Sequence, residues 1–172
     1  MIIKILKGIL GLAIVVLLSL AIFLFYMRYH DGPLEIISGG PFQSGTMVTE
    51  ANGSELELAS IADRVTIEFQ LEQPPRSRTV WLAVQDNKLY VASAYMNEGY
   101  AKIWKQWPHQ AADDNRILLR VDGKIYPRKL VRIFDSSIAA TVSPEMERKY
   151  GMQISAGDIE SASVWLYEVV MR

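Results

Sequence analysis

Between residues 78 and 133 the chain carries two hairpin signatures on either side of one helix-like stretch. Arg78 to Val84 and Lys88 to Ser93 are strand-like and meet at Asp86-Asn87. Arg116 to Val121 and Lys124 to Ile133 meet at Asp122-Gly123. Asp-Gly is the stronger signal, because a type I′ turn needs positive φ and glycine adopts it without steric cost. Two hairpins in this order leave few ways to bury their apolar faces. A small β-barrel is the natural closure.

The flanking sequence extends that reading. Val65, Ile67, Phe69 and Leu71 alternate with polar residues, which predicts a half-buried strand ended by Pro74-Pro75. From Val80 to Val84 both faces are apolar, which predicts a central strand with Trp81 in the core. Glu98 to Trp107 reads as a helix stopped by Pro108. Pro144 to Tyr150 reads as a second short helix, with proline in its first turn and Gly151 at its C-cap. Ser163 to Val170 is a last strand, and Thr46 to Leu58 has the poorer pattern of a first one. The expected fold is mainly β: a barrel of six or seven strands with two short helices.

Ahead of this domain, residues 8–27 run GILGLAIVVLLSLAIFLFYM without a charge. Twenty helical residues span about 30 Å, the thickness of a bilayer's hydrocarbon core. The run is longer than a signal peptide's apolar region and ends in Phe23, Phe25 and Tyr26, which suit a membrane interface and not a cleavage site. It reads as a retained single-pass transmembrane anchor. Lys4 and Lys7 precede it and Arg28 follows, so the N-terminus is expected in the cytoplasm and the domain outside. The expected organisation is an anchor at 1–30, a Gly/Pro/Ser-rich tether at 31–45 and the barrel domain at 46–172.

The first 30 residues hold three of the 18 Lys/Arg and none of the 19 Asp/Glu, which leaves residues 31–172 at a net charge of −4. Such a domain has no electrostatic footprint for nucleic acid. The chain has no cysteine, which removes disulfides, thiol catalysis and Cys-ligated metals. His30 and His109 stand apart, and no His/Asp/Glu set has metal-ligand spacing. No nucleophile motif surrounds Ser44 or Ser143, and nothing selects a proton donor among Tyr90, Tyr95 and Tyr100. The catalytic residues, if there are any, stay unassigned.

The strand starting Arg78-Thr79-Val80-Trp81, then Leu89 to Ser93, Gly99 to Trp104 and Asn115 to Tyr126 together resemble the pyridoxamine phosphate oxidase-like split β-barrel superfamily. Gly39 to Gly45, Glu147 to Gly151 and Trp165 to Tyr167 resemble a membrane-anchored branch of it. The resemblance covers Phe42 to Val170 and implies a split β-barrel that binds FMN or a deazaflavin and acts as an oxidoreductase. It places the cofactor phosphate at Arg78, Ser93 and Lys102 and the ring system between Trp81 and Trp104. An Arg fork with a Lys and a hydroxyl is suited to a phosphate. The resemblance also implies a homodimer, and an anchored domain would suit a lipophilic small molecule as substrate.

Each residue also has a plainer reading. Arg78 fits a solvated strand end, Lys102 and Lys105 a solvated helix face, and Trp104 and Trp107 a cover over the barrel. Leu82, Ala83 and Val84 stand where the superfamily has a second basic residue, and Asn97-Glu98-Gly99 replaces a basic cluster. The alternative function is therefore a non-enzymatic domain on the same fold, without cofactor, that binds a ligand or a protein.

Overall fold

The computed structural model describes residues 2–49, 55–99 and 105–172. Six antiparallel strands close into a barrel: β2 (Thr66–Leu71), β3 (Arg76–Gln85), β4 (Lys88–Ser93), β5 (Arg116–Val121), β6 (Lys124–Ile133) and β7 (Trp165–Met171). Around the barrel the order is β6-β5-β2-β3-β4-β7, and β6 pairs with β7 to close it. A two-residue β1 (Thr46–Met47) lies parallel to β6. The strand expected over Thr46 to Leu58 is thus confined to two residues, and residues 50–54 lie outside the described ones.

The two hairpin turns carry the expected backbone. Asp86 and Asn87 have φ of 51° and 57°, and Asp122 and Gly123 have 49° and 74°. Two consecutive positive φ values match the twist of the strands they join. In this register Gln85 faces Lys88 and Val121 faces Lys124.

The apolar residues divide into two cores. Phe69, Leu71, Leu82, Val91, Ile117 and Leu119 fill the barrel interior. Ala83, Tyr90, Val142, Met146 and Leu166 form a second cluster outside it. The outer cluster lies under a helix, α4 (Ile138–Tyr150), which packs on β3. This explains why β3 is apolar on both faces: one lines the barrel and the other is covered by α4. Each large aliphatic side chain buried here contributes about 1.5–3 kcal/mol.

Several elements depart from the sequence reading. α4 starts six residues before Pro144, which lies inside it, and ends as expected at Gly151 with φ of 65°. No helix runs over Glu98-Gly99 or Lys105-Gln106, and residues 100–104 lie outside the described ones. The helix here is α3 (Trp107–Asp113), with Pro108 in its first turn. Proline fits there because that position has no intrahelical bond to lose. Two further short helices, α2 (Leu58–Ile61) and α5 (Ala156–Glu160), complete the domain, the latter with a Ser155–Asp158 capping box.

The N-terminal helix α1 (Ile2–Met27) is long and apolar enough to cross a membrane. The segment after it, expected as a tether, is bonded closely to the barrel. Asp31 accepts hydrogen bonds from the Gln43 amide (2.8 Å), the Ser44 hydroxyl and Arg120 Nη1 (2.6 Å). Arg120 also donates to Glu68 at 2.7 Å and lies 4.3 Å over the Phe42 ring. Gly39 and Ser77 exchange backbone hydrogen bonds at 3.0 and 3.3 Å. Glycine is required at 39, since a Cβ there would lie 1.7 Å from the Gly32 carbonyl oxygen. Burial alone would raise the Asp31 carboxyl, but its bonds to Ser44, Gln43 and Arg120 hold it down at about 2.

Candidate functional site: a cationic cleft beside the apolar helix

Where the end of α1 meets the barrel, a cleft of about 480 Å³ opens between β3, β4 and the 36–38 segment. That volume is within the range of small-molecule sites. Leu24, Met27 and Ile36 form an apolar side, while Arg76, Arg78 and Lys105 supply three cations. No acidic residue lines it among the described residues.

Arg78 is the central group. It faces Phe69 across the β2–β3 pair, and its guanidinium carbon lies 5.9 Å from that ring's centroid. Its side chain makes no hydrogen bond or ion pair among the described residues, and although the residue is half-buried its Nε is shielded from water and has no partner. Burial, with a smaller contribution from the charge on Arg76, pushes the guanidinium down to about 10. It stays protonated at neutral pH, so a partly desolvated cation is held without a counter-charge among the described residues. Such a group is costly unless something else is satisfied by it. Arg78 is only partly solvated and stands inside β3, two residues from its start.

The neighbours are better satisfied. Arg76 donates to the Ser38 carbonyl at 3.2 Å, and burial followed by the nearby Arg28 charge lowers its pKa. Lys105 donates to the Ala94 carbonyl and sits 5.3 Å over the Tyr95 ring, with burial lowering its pKa. Ser93 is buried, and among the described residues its hydroxyl meets only the Met96 thioether at 3.3 Å, a weak acceptor. That hydroxyl remains available to a stronger partner at little cost.

Trp81 does not lie in the core as expected. Its side chain is 42% exposed and stacks on Tyr150 at 4.5 Å with the rings 6° from parallel. Tyr150 is itself fixed, its hydroxyl accepting from the Leu82 amide at 2.9 Å and donating its one proton to the Val65 carbonyl at 2.6 Å. The stacked pair makes a firm aromatic wall at the edge of the cleft. Trp107 packs edge-on against Phe69 at 5.2 Å and covers the barrel while also lining the cleft.

Of the five residues selected from the sequence, Arg78, Trp81 and Ser93 line one cleft, while Lys102 and Trp104 lie outside the described residues. Sequence reasoning missed Arg76, Tyr95 and Lys105. Arg76 had a signal: it stands two residues before Arg78 in one strand, where alternate side chains share a face. Lys105, read as part of a solvated helix face, is instead turned into the cleft. Leu82 and Ala83 are fully buried in the two cores, so the strand beyond Arg78 has no place for a second cation. Arg76 stands on the other side of it. Glu98 does not line the cleft.

No family model matches the chain, and no curated protein matches it. Among solved structures, a conserved hypothetical protein from Mycobacterium tuberculosis is similar to it at 14% identity and a TM-score of 0.48, over 70% of this chain and 81% of that one.

Proposed function

We propose that this protein is a membrane-anchored split β-barrel domain that binds a phosphate-bearing ligand in the cleft beside α1. The half-buried Arg78 guanidinium, whose shielded Nε has no partner among the described residues, carries this reading. A charge held out of water without a partner is stabilised by an anion, and a guanidinium fork suits a phosphate. Arg76, Lys105 and the Ser93 hydroxyl supply further donors, and Trp81 supplies a flat apolar surface. The sequence resemblance makes FMN or a deazaflavin the first ligand to test. The residues present fit such a group: Arg78 and Ser93 would hold the phosphate and Trp81 would flank the rings. When bound, the flavin would supply redox chemistry and make the protein an oxidoreductase. The chain's own part would be to orient the ring and balance the phosphate charge.

The test is a titration of the full chain in phosphatidylcholine nanodiscs with FMN, a deazaflavin and inorganic phosphate, followed by tryptophan fluorescence and visible absorption. Binding of any of the three that Arg78→Gln weakens by about tenfold or more supports the reading, since a charged hydrogen bond is worth about 1.5–3 kcal/mol. No response to any of them would sink it. A yellow protein as purified would support the flavin directly.

A second reading, a non-enzymatic ligand-binding domain, is favoured by one feature. The apolar side of the cleft comes from the end of the anchor helix and from Ile36, which is 81% exposed. A site for a purely water-soluble cofactor has no need of such a lip. Anchoring itself is tested by extraction: carbonate at high pH should leave the chain in the membrane pellet. Protease added outside intact cells should trim the domain if the N-terminus is cytoplasmic.

A further inference from the structure

We propose that the phosphate bound in this cleft is the headgroup of an anionic phospholipid drawn from the membrane that α1 crosses. This rests on the reading of the cleft as a phosphate site and names the source of the phosphate.

The first argument is depth. α1 has 26 residues, about 39 Å at 1.5 Å per residue, against about 30 Å of hydrocarbon. Lys4 and Lys7 keep the first turns at the opposite interface, so the uncharged run fills the core and ends at Met27. Leu24 and Met27, in the last turn of that helix, line the cleft. The cleft therefore lies at the level where hydrocarbon gives way to headgroups. Lipid phosphates occupy that layer.

The second argument is the rim. Exposed Ile36, Trp81 and Tyr95 stand around the mouth, at 81%, 42% and 58% exposure. Arg76 and Lys105 lie among them. Aromatic and aliphatic side chains next to cations are the composition of a surface that sits in a membrane interface. A soluble domain that left these side chains in water would gain nothing from them.

The third argument is rigidity. The segment joining α1 to the barrel is held by the bonds from Asp31 to Gln43, Ser44 and Arg120, and by the Gly39–Ser77 backbone pair. The cleft cannot swing away from the bilayer as it would on a flexible tether. Its polar end, Arg78 with Ser93, receives a phosphodiester, and its apolar side, Leu24, Met27 and Ile36, receives the first part of the acyl chains. Both halves of an amphiphile find a matching surface in one cleft.

The experiment uses the full chain in nanodiscs of phosphatidylcholine alone or mixed with phosphatidylglycerol. Lipid retained after release from the disc is read by native mass spectrometry. Phosphatidylglycerol should be retained preferentially, and Arg78→Gln should reduce that preference about tenfold or more. Ile36→Ser, at an exposed position on the apolar side, should reduce retention of lipid. Equal retention of the two lipids by the wild type would overturn the proposal. If FMN or inorganic phosphate binds in an Arg78-dependent way while no anionic lipid is retained, the phosphate comes from solution: the cleft stands and the lipid falls. If neither lipid nor soluble phosphate binds, both readings fall together.

Discussion

Replacing Arg78 by methionine should make this protein more stable and should abolish the phosphate binding proposed for the cleft. Burial, and after it the charge on Arg76, pushes the guanidinium well below its ordinary value, down to about 10. At about 1.4 kcal/mol per pH unit, that drop corresponds to about 3 kcal/mol held against the fold. The contact with the Phe69 ring returns about 1 kcal/mol, leaving a net cost of about 2 kcal/mol. Methionine keeps the length and apolar stem of arginine without the charge, so it should recover most of that amount. For a domain of this size the gain is a rise in Tm of about 6 °C. The folded state disfavours the charged form, so the penalty is fully present below pH 10, where both states are protonated. It is relieved only as pH rises from about 10 toward the ordinary guanidinium value, and the stabilising effect of the substitution should be constant through neutral pH. The assay is thermal unfolding of the full chain with and without a phosphate ligand. The wild type should be raised by ligand and Arg78→Met should not. A variant that melts lower than the wild type would refute the reasoning, because the guanidinium would then be a structural element and not a reserved binding group.

Other perturbations follow from the same structure. Asp31→Asn should destabilise the protein by about 1 kcal/mol at neutral pH after solvent screening, with the gap full above the ordinary carboxylate value of 3.8 and closing as pH falls toward 2; urea unfolding across pH checks it. Gly39→Ala should cost at least about 2 kcal/mol, because its Cβ would collide with the Gly32 carbonyl; a neutral effect in thermal unfolding would show that the joining segment yields. Trp81→Ala should cost about 1 kcal/mol of stability through the lost stack on Tyr150 and weaken ligand binding about twofold to tenfold, read by unfolding and titration on the same sample.

What could be read from the sequence was local. The hairpin turns were legible because Asp86-Asn87 and Asp122-Gly123 favour a backbone that few other dipeptides accept. β3 was legible as a strand apolar on both sides, but alternation alone could not show that α4 covers most of its outer face and leaves Trp81 at the edge. Pro108 was misread because proline both stops helices and begins them, and only the residues after it decide which. The bonds that hold the 31–45 segment to the barrel were not legible, because glycine suits a loose linker and a close backbone approach equally. The Asp31–Arg120 pair joins residues 89 apart, and no local pattern announces it. Arg78 was identified through resemblance, whereas the lack of a partner for its Nε among the described residues, which makes it informative, is visible only in three dimensions.

The central claim is that Arg78 is an anion-binding group. The most direct measurement is anomalous diffraction from crystals of the protein soaked with tungstate, an oxyanion of phosphate-like shape. The account predicts a strong peak in the cleft with oxygens about 3 Å from the Arg78 guanidinium nitrogens. A tungstate peak that appears only elsewhere, or none in the cleft at saturating anion, would contradict it.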